Sequence, residues 1–283
     1  MACILLGIVA VMAVIGPVIS PYGYEETSEI QFGAPSAKHW FGTDLHGRDL
    51  FTRVLFGARI SLLVGIVGTS ISLIVGVSYG IISGYIGGKV DSWMMRLVDV
   101  LYALPRIVLV IVVIAVFDSQ VKDLLHASAW SEAVPYTRLV LMFISLGMVE
   151  WLTMARIVRG QVLSLRSREF IQAAQSLGQR PWKIVGKHLL PNLRGVIIVY
   201  LTLTVPAVIL EESFLSFLGL GIQPPQSSWG TLLADGASVI NPIRSYWWVM
   251  MGPALFMAIT LFALNYLGDA LRDYFELDDQ SVK

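Results

Sequence analysis

Residues 166–192, RSREFIQAAQSLGQRPWKIVGKHLLPN, form a polar, basic, helix-prone island between two long apolar runs. A connection of that length in a membrane protein is functional or disordered, and this composition is not a disordered one. Ile171, Ala174, Gln175 and Gly178 recur at helical spacing, and Pro181 opens a second segment with Trp182, Val185 and Leu189 on one face. The pattern predicts a helix, a glycine-marked turn and a second helix, shaped to be gripped by something outside the membrane.

The surrounding chain places that island at a bilayer. Of 283 residues, 55% are hydrophobic and 14% charged, with mean hydropathy +0.70; soluble domains carry about 25% charged residues. A spanning helix needs about 20 apolar residues, and six runs qualify: roughly 2–20, 60–83, 98–117, 138–158, 194–213 and 246–267. The first lacks the basic flank and cleavage pattern of a signal peptide, so it reads as a span ending near Gly16-Pro17. A cytoplasmic leader would be expected ahead of it. The lone cysteine, Cys3, excludes an intrachain disulfide and reads as a small lipid-facing or packing residue. Gly65, Gly68, Gly76 and Gly80 on the second run would let helices approach closely, although glycine is also tolerated generally in membrane helices.

Basic residues set the orientation. Arg159, Arg166, Arg168, Arg180, Lys183 and Lys187 face one acid, Glu169, and Arg156 and Arg194 flank the same side. The loop over 118–137 has only Lys122, and that over 213–245 only Arg244. The island is therefore expected in the cytoplasm, with both termini beside it. The first outer loop runs against this count with Lys38, Arg48, Arg53 and Arg59, but the larger cluster should prevail. Gly42-Thr43-Asp44 and Gly47-Arg48-Asp49 in that loop read as turns, followed by an amphipathic helix leading into the second span. The domain plan is 1–59 for first helix and outer loop, 60–268 for the transmembrane core holding the island at 166–192, and 269–283 for a charged cytoplasmic tail.

Charges at depth are the candidate functional residues. Glu150 lies about 18 Å along a helix from Arg138, at 1.5 Å per residue, where an ionisable group faces a bundle interior or a cavity. Arg156, Asn265 or a partner chain could satisfy it. It reads as a pathway-lining residue or as half of a structural ion pair. Glu211 and Glu212 close the fifth run, as interfacial groups or as cavity lining. Arg96 and Asp99 can satisfy one another at i,i+3. The loop over 118–137 reads as an outer loop with one surface helix at most. Gly219, Gly221 and Pro224-Pro225 break the last outer loop, with Trp229 and Leu232-Leu233 keeping it partly buried, as expected of the lining of an outer mouth.

No enzyme chemistry stands out. Gly186-Lys187 precedes His188 with no phosphate-loop spacing, and His39, His46, His126 and His188 lie apart, without metal spacing. No metal ligand or catalytic residue is assigned, and an intramembrane enzyme using Glu150 or His188 is the weaker alternative. His188 fits a packing or capping role.

The island resembles the cytoplasmic EAA loop of ABC-importer membrane subunits, E-A-A-x-x-x-G followed by a hydrophobic-x-P ending. Here it stands as Gln172-Ala173-Ala174, Gly178 and Leu189-Leu190-Pro191. FGTDLHGRDLFTRVLFGARISL, SGYIGGKVDSWMMRLVD, WLTMARIVRGQVLSLRSREFIQAAQSLG, ESFLSFLGLG and LGDALRD extend the likeness along nearly the whole chain. Together they are similar to the C-type permease subunit of bacterial oligopeptide/dipeptide importers, with wording nearest the oligopeptide branch. That resemblance implies an all-α membrane protein with six transmembrane helices of the type I ABC-importer permease fold, in the inner membrane. It implies a B-type permease partner, two ATPase subunits using ATP and Mg, an external peptide-binding protein and a peptide substrate. No cofactor bound by this chain and no nucleic-acid partner are expected. Gln172, Ala173, Ala174, Gly178, His188 and Pro191 would then contact an ATPase, and Glu150, Glu211 and Glu212 would belong to the pathway. Gln172 replaces the acid of the motif, so a salt bridge made there becomes a neutral hydrogen bond. Dipeptides, nickel or a peptide-like antibiotic are the alternative cargoes.

Overall fold

A computed structural model describes residues 2–128, 130–240 and 245–281, with side chains through Phe275. Arg244, read above as the only basic residue of its loop, lies outside the described residues. The regular elements of the described residues are all helices, with isolated β-bridges at Thr27–Arg48, Thr43–Asp49 and Ile240–Ser245. Helix α1 spans Ala2–Ile19, α2 Leu50–Ile86, α3 Gly88–Tyr102, α4 Arg106–His126 and α5 Thr137–Arg166. Then follow α6 (Glu169–Ser176), α7 (Pro181–Ile184), α8 (Leu190–Phe217), α9 (Trp229–Ser238) and α10 (Trp248–Ser281). Five helical stretches are long and apolar enough to cross a bilayer, and α3 with α4 makes a sixth if that bent pair is one span. Cys3 is exposed.

The centre of the bundle is α2 lying along α5. Its glycines remove the side chains that would hold the backbones apart. A Cβ on Gly76 would stand 2.6 Å from the Met154 Cβ, and one on Gly84 2.9 Å from the Val162 Cβ. Gly147 answers from α5, where a Cβ would stand 2.9 Å from the Gly68 carbonyl oxygen. The glycine pattern of α2 is a packing interface. Met142, Leu146, Val64, Val208 and Leu215 fill the core at one end, and Met154, Val158, Val162 and Leu193 fill it towards the other.

Three expectations are corrected. The run over 98–117 is broken at Leu104-Pro105, where α3 and α4 meet at 87°. Proline has no amide hydrogen for the helix ladder and disfavours a helical residue before it. Hydropathy averaged over the run cannot register that break. Helix α4 then continues to His126, with Lys122 and Asp118 paired at i,i+4, so most of the loop expected over 118–137 is helical. It closes with a 3-10 turn at Ser131–Tyr136. Asp99 bonds Arg156 rather than Arg96, and the Arg96 guanidinium lies over the Trp93 ring.

The island folds as helix, turn and helix. Gly178 has φ +72°, a left-handed conformation that side chains disfavour, and Pro181 starts α7. A π turn at Val185–Leu189 joins α7 to α8. In a π turn residues five apart stack, so Ile184 and Leu189 share the buried face, while Trp182, expected there, is exposed. The described C-terminal end lies at the island end of the bundle, and α1 runs from its far end toward the middle of α2. Phe275 of α10 packs at Gly195, while the far end of α1 meets α2 at Leu55, opposite the island.

Candidate functional site

Helix α5 carries three charged residues that pair with charged residues of the α3–α4 elbow. Arg159 bonds Asp91 through Nε and Nη2, both at 2.6 Å, and the Ser83 hydroxyl donates to the same carboxylate. One turn on, Arg156 Nη2 donates to Asp99 at 2.7 Å and its guanidinium covers the Tyr102 ring at 4.2 Å. Two turns further, Glu150 accepts from Arg106 Nη1 at 3.0 Å. At about 100° per residue, Arg156 stands 60° round the helix from Arg159 and Glu150 a further 120°, so the three pairs wind partly around α5, with the long arginine side chains spanning the difference. The seam climbs about 14 Å from the island end into the bundle, at 1.5 Å per residue.

The seam cannot face lipid. Charged groups in hydrocarbon are expensive and sit against protein or a water-filled cavity, yet the Arg106 side chain is 43% exposed. Arg106 also donates from Nη2 to the Tyr102 hydroxyl at 3.0 Å. The Tyr200 hydroxyl reaches Glu150 from α8. Glu211 joins this group, 3.9 Å from Arg106 Nη1. The partners expected for Glu150 are replaced. Arg156 is occupied by Asp99, and Asn265 donates to the Leu261 carbonyl of its own helix. Arg106 escaped the sequence reading because it lay inside an assumed continuous span. The elbow that brings it to Glu150 is a property of Pro105.

Glu212 is separate from this cluster, on an α8 that continues to Phe217. It is fully buried and accepts from Ser216 at 2.6 Å and from Ser61 and Ser213 at 3.4 Å. Ser61 Oγ in turn accepts the Trp229 amide, so this hydroxyl cluster ties α2, α8 and α9 together. Trp229 is fully buried, with Nε1 donating to the Val54 carbonyl.

The opposite end of the bundle is closed by a charged knot. Asp44 accepts the His46 and Arg48 amides at 2.8 and 2.9 Å, Arg48 Nε at 2.7 Å, and Arg53. Burial works to raise the Asp44 carboxyl. The Arg48 amide and the Arg53 and Arg48 guanidinium groups outweigh it and hold it below the ordinary carboxylate range. Arg53 also donates to Ser227, so the knot joins the loop after α1 to the loop before α9. Gly42 and Gly47 take the turns expected of them at φ +78° and +75°, and Asp49 caps α2 through the Thr52 amide. Pro224, Pro225 and Ser227 wall a cavity of about 530 Å³ beside Asp44, Arg48 and Arg53.

At the island end, the motif residues divide between two faces. Ala174 is buried with Ile171, Ile184 and Leu189 against Val158 and Val162. Gln172, Ala173, Gly178 and Pro191 are exposed, and Gln172 Nε2 donates to the Ser167 carbonyl at 3.3 Å. His188 is half-buried, its Nε2 3.3 Å from Gln179 Oε1, and its carbonyl accepts from Asn192. Phe170, Leu177 and Trp182 project as exposed apolar residues beside that face. Their exposure was not legible, because a large apolar residue in a helix is ordinarily read as core.

Comparison with known proteins agrees with this architecture. Residues 76–278 match the family of binding-protein-dependent transport system inner membrane components. The chain belongs to that family. Such a component is a multi-pass permease subunit of the inner membrane, not an enzyme. This permease chain is 45% identical to the dipeptide transport system permease protein DppC of Bacillus subtilis, over 93% of its length and 76% of the relative. It is 43% and 44% identical to the oligopeptide transport system permease proteins OppC of Haemophilus influenzae and Escherichia coli K12. Those matches cover 98% of the chain and 83% and 86% of the relatives. The inward-facing MetNI methionine ABC transporter shares the fold, with TM-score 0.59 and 17% identity over 77% of this chain and 94% of that one.

Proposed function

We propose that this chain is the permease subunit of an ATP-driven importer of oligopeptides, forming half of a translocation pathway with a homologous permease. The observation that carries this is the 43–45% identity, over nearly the whole chain, to permeases named for oligopeptide and dipeptide transport. Dipeptides, nickel or a peptide-like antibiotic are the competing cargoes on the same scaffold. The island and both termini face the cytoplasm, a reading supported by the basic residues of 159–194 and, for the C-terminal end, by the packing of Phe275 at Gly195 beside the island.

Two ATPase subunits, supplied with ATP and Mg, engage the island, and an external peptide-binding protein delivers cargo to the opposite end. Gln172, Ala173, Gly178, His188 and Pro191 lie on or beside the docking face, with Leu177 and Trp182 as its apolar contacts. Ala174 anchors the hairpin from below. Closure of the ATPases pushes the hairpin, and α5 and α8 carry that motion into the bundle. Glu150 and Glu211, with Arg106, line the pathway, while Glu212 holds its wall.

The test is uptake of labelled tetra-alanine and dialanine by vesicles containing the complete complex, with nickel as competitor. ATP-dependent accumulation of tetra-alanine that nickel does not reduce is expected. Accumulation of dialanine alone, or competition by nickel, would replace the oligopeptide reading.

A further inference from the structure

At the head of the polar seam one guanidinium stands against two carboxyl groups, and one carboxyl oxygen has no hydrogen-bond partner. Arg106, Glu150 and Glu211 come from α4, α5 and α8, so one guanidinium serves two carboxylates. Arg106 Nη1 is bonded to Glu150 Oε1 at 3.0 Å and Nη2 to the Tyr102 hydroxyl at 3.0 Å. Glu150 Oε2 has the Tyr200 hydroxyl at 3.4 Å. Glu211 has only the longer 3.9 Å approach to Arg106, and its Oε2 is buried with no hydrogen-bond partner. A buried carboxylate oxygen left without a donor is costly. Oε2 is itself closed to solvent, and the open side of the cluster is that of Arg106 and of the rest of the Glu211 side chain, which are 43% and 21% exposed. A ligand therefore reaches Glu211 from that side, and Oε2 only by a turn of the carboxyl.

We infer that Glu211, beside the Arg106–Glu150 pair, is a subsite for a primary ammonium, the N-terminal amine of a peptide in transit. The inference rests on the importer reading above and adds the chemical group recognised. A primary ammonium brings three donors and one positive charge, which answers both deficits. Every unblocked linear peptide with a primary N-terminal amine carries this group whatever its side chains, so the subsite reads the feature common to a mixed cargo. Arg106 keeps the pair of acids from presenting two full charges, which would hold a cation too tightly to release it.

The test measures binding to the assembled complex of both permeases and the ATPases in nanodiscs, without the external binding protein. The probes are trialanine amide, a cation, and N-acetyl-trialanine amide, which is neutral. Trialanine amide is expected to bind at least about ten-fold more tightly, the scale of one hydrogen bond to a charged group. Glu211→Gln should abolish that preference and Glu211→Asp should keep part of it. Equal binding of the two probes to the unaltered complex, binding of neither, or a preference surviving Glu211→Gln overturns the subsite. The first comparison needs no variant, so a misfolded Glu211→Gln complex does not stand in its way. In vesicles carrying the binding protein, amine preference without peptide accumulation would overturn the importer reading alone. Accumulation without amine preference would overturn the subsite alone.

Discussion

A Cβ on Gly80 would stand 2.6 Å from the Ala155 carbonyl oxygen and 2.8 Å from the Val158 Cβ, whereas one on Gly160 would meet nothing within 4 Å. Gly80 keeps α2 against α5, and Gly160 only loosens the helix it belongs to. Gly80→Ala should therefore destabilise the chain by about 1–3 kcal/mol, as overpacking does. Gly160→Ala should stabilise it by about 0.5–1 kcal/mol. Thermal unfolding of the purified protein in detergent checks the pair, and a loss at both positions would contradict the packing account. Arg59 acts at the same scale. Pro17 has no amide hydrogen to offer the Ala13 carbonyl four residues back. Arg59 Nε donates to that carbonyl and Nη2 to Val14, so α1 is tied to α2 where its own ladder fails. The proline was legible in the sequence as the end of a span; its repair by an arginine far along the chain was not.

Among the elements, the island hairpin was the most legible and the α3–α4 elbow the least. Ile171, Ala174, Gly178 and Pro181 form a local code, in which spacing gives a buried face, φ +72° gives the turn and proline gives the next start. Proline holds φ near −65°, so Gly178→Pro cannot keep that turn and should swing α7 out of line. The proposed consequence is loss of the ATPases from the purified complex at unchanged membrane yield of the permease. Full retention of the ATPases with normal activity would show that the turn does not set the docking geometry. The elbow defied the reading because hydropathy sums over a window while a bend depends on one peptide unit. Once α3 turns by 87° against α4, Asp91, Asp99 and Arg106 fall in line with Arg159, Arg156 and Glu150.

For the whole molecule, the Asp44 knot joins the loop after α1, the start of α2 and the segment before α9 through Arg48, Arg53 and Ser227. The folded Asp44 carboxyl lies below its ordinary value, near 3.9. Its stabilisation is therefore fully present above that ordinary value and is lost as pH falls through the depressed folded one. Melting temperatures of the unaltered chain should drop more steeply below about pH 4 than those of Asp44→Asn, which has no such proton to take up. Parallel acid profiles for the two would assign the knot no part in acid stability.

The sequence by itself determined the bilayer, the island hairpin and the family, because each is written in composition, local spacing or contiguous motifs. It also picked out Glu150 as an expensive charge and placed Glu211 and Glu212 together at the close of a span. Only the tertiary structure decided what those charges meet. Arg106 reaches Glu150 across a bend and Glu211 arrives from another helix, while Glu212, its neighbour in the chain, turns into a sealed cluster of serine hydroxyls. Neighbours on a helix point about 100° apart, so two adjacent acids took different surroundings. The direction in which each faces is settled by packing between helices, which no local pattern encodes.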